Sequence, residues 1–448
     1  MKIHFIGIGG IGISALAQYY LEKGNIVSGS DLCQSEITKA LSQKGVKIFI
    51  GKHRENNLAR DTNLVIYSLA VTKDNPEIKK ARQLKIRLKS YPEALGELTK
   101  NHFTIAVCGM HGKSTSTALL SLILVKVGLD PTVIIGTKLK EFGDSNFRVG
   151  KGKYWVIEAD EYKAAFLNYW PQMILLTSLE REHLDYYKNL QHIVRTFEKF
   201  ISRLPQNGVL VANKDDKNVL KLAEKIKKNK NQIKVIFYSL GDKEAEKIKK
   251  TLKIPGNFNI SNALGVLSVA RTLRIPDEFS FQVFSNYRGA WRRFEIFPTS
   301  LHALPYTLIS DYGHHPTQIK VTIKAAREKF PQRRIILIYQ PHQIKRTKIL
   351  FKKFIKAFDD VNILFLNEIF GVAGREEKGK KKISSKILAR AIRKRWQKLG
   401  YSEKIIKFIK NQDDIFKEVG HLIKKRDIVI VMGAGDIYKL ALRLLSGR

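Results

Sequence analysis

Seven consecutive residues, Gly109-Met110-His111-Gly112-Lys113-Ser114-Thr115, have the types and spacing to hold a polyphosphate. Glycines let a turn approach a ligand and bare its backbone N–H groups, and a helix starting there adds the positive end of its dipole. The Lys113 ammonium can reach terminal phosphates, and the Ser114 hydroxyl can bind Mg²⁺. The full phosphate-loop pattern has a further glycine at position 107, where this chain has Val107, so the motif is a shortened variant. The expected ligand is ATP.

Further groups suited to chemistry follow. Glu158-Ala159-Asp160-Glu161 closes one apolar run, and Glu182-His183-Leu184-Asp185 lies just beyond another. Acidic and histidine side chains at the carboxyl ends of parallel strands, beside a phosphate loop, stand where an open α/β sheet does its chemistry. Glu158 and His183 can complete a magnesium site with Ser114, because Mg²⁺ takes few protein ligands and keeps waters and phosphate oxygens; Mn²⁺ is the alternative ion. A second glycine loop, Gly7-Ile8-Gly9-Gly10-Ile11-Gly12, has Asp31 about 20 residues on, the dinucleotide fingerprint. It indicates a nucleotide diphosphate on a helix N-terminus with an acid near a ribose. A third turn, Gly433-Ala434-Gly435-Asp436, reads equally well as a tight strand-to-helix connection. Arg292, Arg293, the run Asp311-Tyr312-Gly313-His314-His315-Pro316, and Gln340-Pro341-His342 with Arg346 gather at strand ends near block joints, which points to a site.

Such residues require a strand before each glycine loop and a helix after it. Apolar runs predict strands at 3–6, 26–30, 102–108, 154–157, 173–176, 334–339, 362–366 and 428–432, and a strand with its loop at 64–70. Helices are predicted from the first loop to Lys23 and over 115–127, the latter stopped by Gly128 with Pro131 beyond. Asn75-Pro76-Glu77 has the form of a helix start, and Ser90-Tyr91-Pro92 that of a linker. Alternating strands and helices predict an α/β chain of three blocks: a Rossmann-like block at 1–100, a central P-loop ATPase block at 101–294, and a Rossmann-like block at 295–448.

Composition agrees. A chain of 448 residues suggests three domains at about 150 residues each, and 44% hydrophobic residues suffice for several cores. Cys33 and Cys108 are the only cysteines, which excludes a disulfide framework and fits a reducing cytosol. No run approaches the roughly 18 apolar residues of a membrane helix. The N-terminal run superficially resembles a signal peptide, but glycines interrupt it and polar residues follow. A cytoplasmic protein without a membrane partner is expected. Lys+Arg number 80 against 41 Asp+Glu, a net charge of +39. The lysines are dispersed, many at solvent-facing helical spacing as in 221–230, and only 378–382 is a dense block. No nucleic-acid partner is expected, whereas a positive field suits small polyanionic substrates. The rival reading, a nucleic-acid-stimulated ATPase, predicts salt-sensitive duplex binding.

Taken in order, these motifs resemble the Mur ligase family from end to end. The resemblance rests on Gly7 to Gly12, Gly109 to Thr115, Glu158-Ala-Asp-Glu161, Glu182-His-Leu-Asp-Tyr-Tyr187, Asn259-Ile-Ser-Asn262, Trp291-Arg-Arg-Phe-Glu295, Asp311 to Pro316, Gln340-Pro-His342 with Arg346-Thr347, and Gly433 to Asp436. It implies a UDP-sugar-binding first domain, a central ATPase domain and a C-terminal amino-acid-binding domain. The first loop (Gly7, Gly9, Gly10, Ile11, Gly12), with Asp31 and Ser68, would then hold UDP-sugar rather than a dinucleotide. Asn259 and Asn262 match residues around adenosine. Arg292 or Arg293 matches a contact to the ATP phosphates, and Asp311, Tyr312, His314 and Arg346 match the region where nucleotide and amino acid meet.

The implied reaction joins L-alanine to UDP-N-acetylmuramate at the expense of ATP, through an acyl phosphate. Lys113 and the metal would neutralise charge in the first step, His314 would be the base for the amine, and Arg346 would grip the alanine carboxylate. Branches that add later residues carry a carbamylated lysine about 14 residues after the motif histidine; here that position is Phe197, similar to the alanine-adding branch. The closer rival is the branch that recycles an intact tripeptide, but Tyr312-Gly313 and the Gly433 to Asp436 turn are similar to the alanine-adding one. The chain departs from the usual pattern at Ser114 (threonine), Glu182 (aspartate), Phe258 (histidine), Ser310 (aspartate) and across 371–376.

Overall fold

Three sheets carry the chain in a computed structural model that describes residues 1–229, 233–301, 304–371 and 383–447. The basic block at 378–382 and residues 372–376 of the departing loop lie outside the described residues. Two compact units form: one of residues 1–182, 189–248 and 261–285, the other of 183–188, 249–260 and 286–447 among those described.

The first unit holds two sheets. One is five-stranded and wholly parallel, in the order Lys47–Ile50, Ile26–Asp31, Lys2–Ile6, Leu64–Tyr67, Arg87–Ser90. Its central strand is buried almost throughout because βαβ crossovers cover both faces. The other is seven-stranded, in the order Lys234–Tyr238, Val209–Asn213, Met173–Leu176, Phe103–Cys108, Tyr154–Glu158, Thr132–Leu139, Ser145–Arg148, and only the last strand is antiparallel. Phe103–Cys108 lies in its middle, so the phosphate loop leaves from the best-supported strand.

The second unit holds a six-stranded sheet, in the order Glu295–Leu301, Leu304–Asp311, Ile428–Met432, Ile335–Tyr339, Ile363–Leu366, Ile405–Phe408. Only the Glu295–Leu301 strand runs antiparallel. Apolar residues cover both its faces: Ile309, Leu337, Leu364 and Ile430 on one, Leu308, Ile338, Phe365 and Val431 on the other.

Strand after strand matches the expected run to within a residue or two at each end. The helix start at Asn75 is also as expected: the Asn75 side chain accepts the N–H groups of Glu77 and Ile78, and Pro76 sits where no donor is needed. The expected linker at Ser90-Tyr91-Pro92 is instead a helix start, because Ser90 and Glu93 form a capping box for Tyr91–Thr99. Lysines of the helix Lys217–Asn229 point to water while Val219, Leu222, Ala223 and Ile226 face inward, which accounts for charge there without a ligand.

Candidate functional site

The phosphate loop is shaped by contacts only glycine allows. Gly109 has φ +129°, and a Cβ there would meet Thr177 Oγ1 at 2.2 Å. Gly112 has φ +85°, and a Cβ there would meet Asn262 Oδ1 at 2.2 Å. Met110 N–H donates to Ser178 O (3.0 Å) and His111 N–H to Ser178 Oγ (2.9 Å), so the loop is strapped to the end of the neighbouring strand. The helix Lys113–Lys126 begins at once. Asn262 Nδ2 is buried beside Gly112 with no hydrogen-bond partner, an orphaned donor facing the glycine loop.

Lys113 Nζ donates to Glu161 Oε2 (2.7 Å) and Oε1 (3.0 Å) and to Gly109 O (2.7 Å). Burial opposes its charge, but Glu161, Asp160 and Glu158 together hold the ammonium above the usual lysine value. Ser114 Oγ donates to Glu158 Oε1 at 3.1 Å, and the other carboxylate oxygen accepts Gly136 N–H at 2.9 Å. A hydroxyl and a carboxylate converging at the mouth of a phosphate loop form the all-oxygen donor set that a hard divalent cation prefers. These residues therefore fit Mg²⁺ or Mn²⁺. Phe197, where the resemblance would put the carbamate lysine of other branches, is buried in an aromatic cluster with Phe166 at 4.9 Å between ring centroids.

The first glycine loop hangs on the adjacent strand. Gly7 and Ile8 N–H both donate to Ser30 O (2.8 and 3.0 Å), and Gly9 N–H donates to Asp31 Oδ2 (2.8 Å). Asp31 thus spends one oxygen on its own loop. Gly10 precedes the helix Ile11–Glu22, and Gly12 lies where a Cβ would be 3.0 Å from the Tyr91 ring. Ser68 lies against Gly7, 3.1 Å from where a Cβ would stand. Beneath the loop is a buried hub that sequence reasoning did not single out. The Glu77 carboxylate is bound by His4 Nε2 (2.9 Å), His53 Nδ1 (3.0 Å), Ser30 Oγ (2.7 Å) and Asn57 Nδ2 (2.8 Å). Burial would raise its pKa, yet these bonds hold it far below the carboxylate range.

The second unit brings another set together. Arg292 is buried and donates to Gly433 O and to Gly435 O (3.2 Å), with its guanidinium over Tyr312 (4.9 Å) and Tyr438 (4.8 Å). Arg293 lies over the same Tyr312 ring at 4.8 Å. Asp311 accepts Gly313 N–H (2.7 Å) and Phe294 N–H (2.9 Å); burial still pushes its carboxyl up. The His314 ring stands 5.6 Å from that of His342, whose Nδ1 is 2.9 Å from Arg346 Nη1. Arg346 also donates to His342 O at 3.1 Å and is buried. His342, which the sequence motif contains but which carried no assigned role, therefore lies between His314 and Arg346, and the Tyr312 ring stands 5.5 Å from that of His314. His183, at φ +50°, and Asn259, whose Nδ2 donates to Pro255 O (2.7 Å), also belong to this unit.

A strand–loop–helix of phosphate-binding form, a second glycine loop on its own parallel sheet, and a third α/β sheet are the parts expected of a nucleotide-dependent enzyme with several substrates. Three family models match in series: Mur ligase family, catalytic domain, over 2–103; Mur ligase middle domain over 107–252; and Mur ligase, glutamate ligase domain, over 292–435. The UDP-N-acetylmuramate–L-alanine ligase of Acetivibrio thermocellus is 38% identical, over all of this chain and 96% of that one. Those of Clostridium kluyveri and Aquifex aeolicus are each 37% identical, over 98% of this chain and 96% of theirs. Among solved structures, the UDP-N-acetylmuramate-alanine ligase of Thermotoga maritima superposes with a TM-score of 0.81 at 25% identity, covering 100% of this chain and 98% of that one. A murein peptide ligase from Psychrobacter arcticus shares the fold, with a TM-score of 0.70 at 22% identity over 100% and 98% of the two chains. The chain belongs to the Mur ligase family, with its three-domain α/β architecture. Among the described residues, no helix is long and apolar enough to cross a membrane.

Proposed function

We infer that this chain is an ATP-dependent ligase that joins L-alanine to UDP-N-acetylmuramate, giving UDP-N-acetylmuramoyl-L-alanine, ADP and phosphate for peptidoglycan precursor synthesis. The observation that carries the reading is the likeness, over nearly the whole chain, to relatives bearing that activity in their names. The higher TM-score with the alanine ligase than with the murein peptide ligase supports it over tripeptide recycling. Its substrates are those of a cytoplasmic enzyme.

In the first half-reaction the lactyl carboxylate attacks the γ-phosphorus of ATP, the bond to the β-phosphate oxygen breaks, and ADP leaves. Both reactants are anions, so the protein's work is to position them and cancel charge. The N–H groups of residues 109–115 cradle the phosphates, and Lys113 neutralises the oxygens that gain charge. Ser114 and Glu158, with His183 as the third candidate, would hold the Mg²⁺ (or Mn²⁺). When bound, that ion supplies further positive charge to the phosphates. Gly7, Gly9, Gly10, Ile11 and Gly12 hold the UDP diphosphate, with Asp31 and Ser68 flanking. Asn259, Asn262, Arg292, Arg293 and Asp311 serve the nucleotide; of the two arginines, Arg293 is favoured, since carbonyls occupy Arg292. In the second half-reaction the alanine amine attacks the acyl carbon, phosphate leaves, and His314 takes the amine proton. Tyr312 lines that site, and Arg346 binds the alanine carboxylate. The domains divide near residues 100 and 294.

Phosphate release measured with UDP-N-acetylmuramate, ATP and a panel of acceptors tests the reading. L-Alanine is expected to be preferred, with glycine and L-serine weaker. One methyl group separates alanine from glycine, on the order of 1–3 kcal/mol, so some glycine product is expected. A preference for the L-alanyl-γ-D-glutamyl-diaminopimelate tripeptide would replace the reading with the recycling ligase.

A further inference from the structure

The hairpin formed by Thr132–Leu139 and Ser145–Arg148 contains a bulge. Ile134 pairs with Phe147 and Leu139 with Ser145, so residues 135–138 stand opposite the single residue Asn146. A bulge bends its strand and re-aims the groups on it. On the bulged strand, Gly136 turns its N–H onto Glu158 (2.9 Å), the carboxylate that also receives Ser114. A Cβ there would lie 2.8 Å from Glu158 Oε1 and would push the carboxylate aside.

Across the bulge, Asn146 is buried and turned towards the first glycine loop. Its Nδ2 donates to Ile11 O and to Ser14 Oγ (3.1 Å), and its Oδ1 accepts Gln18 Nε2 (3.2 Å). All three partners lie on the helix Ile11–Glu22, which the glycine loop opens. The same hairpin reaches this block at further points, among them Lys138 Nζ to Glu36 Oε2 (2.8 Å), Ser145 Oγ to Gln18 Oε1 (3.4 Å) and Phe147 edge-on to Tyr19 (6.4 Å). An apolar residue would fill position 146 without burying an amide; the hydrogen bonds to the loop helix are what the asparagine adds.

We propose that Asn146 is a positioning residue that couples the two glycine loops through this hairpin. Charge arriving at Glu158 pulls on Gly136, and a close-packed two-stranded element passes the shift to Asn146 and thence to the carbonyl of Ile11. The nucleotide and its metal would thereby raise the affinity for the UDP-sugar, and by linkage the UDP-sugar would raise the affinity for nucleotide by the same factor. The proposal rests on the functional reading above.

The test is calorimetric titration of UDP-N-acetylmuramate with and without Mg²⁺ and adenylyl imidodiphosphate, in the wild type and in Asn146→Asp. The aspartate keeps the volume but sets an acceptor against Ile11 O. Wild type is expected to bind the sugar nucleotide at least about fivefold more tightly with the analogue present, the lower end of ordinary coupling, and Asn146→Asp less than about twofold more tightly. Adenylyl imidodiphosphate alone should bind the variant within about twofold of wild type, because Asn146 makes no hydrogen bond to residues 109–115. Full enhancement in the variant, or none in wild type, overturns the coupling. If Asn146→Asp fails to fold by its thermal melt, Asn146→Ala removes the amide without setting an acceptor against Ile11 O and must lower the same enhancement; an unchanged value there also overturns it. Ligation of L-alanine by the wild type in parallel keeps the outcomes apart: no ligation sinks the functional reading, and ligation without coupling sinks only this inference.

Discussion

Lys113 Nζ stands 2.7 Å from a carboxylate oxygen of Glu161, a side chain with no exposure to water. The pair keeps the ammonium charged inside a loop that burial would otherwise neutralise. Lys113→Ala should reduce phosphate release to under a tenth of wild type, a loss of more than about 1.4 kcal/mol of transition-state stabilisation. Binding of the UDP-sugar alone should be nearly intact, because the first glycine loop hangs on Ser30 and Asp31. Initial rates and a titration of the sugar nucleotide check both halves. A variant retaining more activity than this would remove Lys113 from the phosphate role.

Glu161→Gln should be costly in a different way. It leaves the Lys113 charge without its closest counter-charge, and breaking such a pair costs about 3 kcal/mol. Urea unfolding should show the loss. A variant as stable as wild type would mean that Asp160 and Glu158 suffice to hold the lysine.

Glu158→Gln and Ser114→Ala should raise the Mg²⁺ concentration needed for half-maximal activity, with partial rescue at high Mg²⁺. Gly136→Ala should do the same without replacing a ligand, since its Cβ would displace the Glu158 carboxylate. Metal titrations unchanged in all three would dissociate Glu158 from metal binding.

Glu77 ties stability to pH. Its folded pKa is depressed below the ordinary 4.5: four hydrogen bonds outweigh burial. A depressed carboxylate contributes stability that is fully present above the unfolded pKa and is lost as pH falls below it. Glu77→Gln should therefore be less stable than wild type at pH 7, by about 3 kcal/mol for a broken buried network, and the gap should narrow below pH 4.5. Urea titrations at pH 7 and pH 4 read this directly; a gap that stays constant would assign the loss to packing alone.

What could be read from the residues alone followed from local rules. Each strand before a glycine loop is an apolar run, and each loop needs glycines where φ is positive or the backbone is crowded, so both were visible without a fold. Residues whose role depends on distant partners were not. Asn146 sits in Ser145-Asn146-Phe147, which has no motif; its importance comes from a bulge and from a helix over 100 positions earlier. Glu77 was visible as a helix start, but nothing local told of His4, 73 positions away. Ser90-Tyr91-Pro92 misled because a capping box and a loop share serine and proline; Glu93 three residues on was the discriminating signal. His342 belongs to the Gln340-Pro341-His342 motif, and only the fold shows that it lies between His314 and Arg346.

The Arg346–His342 contact leads to the last prediction. Arg346 is buried, and its Nη1 is taken by the ring and carbonyl of His342. A guanidinium fixed at one nitrogen has a set plane, as recognition of a carboxylate requires. Arg346→Ala should therefore raise the KM for L-alanine at least about tenfold, the value of one lost charge-assisted hydrogen bond, while changing that for ATP far less. Arg346→Lys should not restore it, because an ammonium cannot serve His342 and a carboxylate in one plane. His342→Ala removes the ring contact and leaves the carbonyl one, and should raise the same KM by a smaller factor. Steady-state kinetics with each substrate varied in turn separate the possibilities: equal rises in both KM values would assign Arg346 to the nucleotide instead, and no rise in the alanine KM for either variant would remove the pair from amino-acid binding.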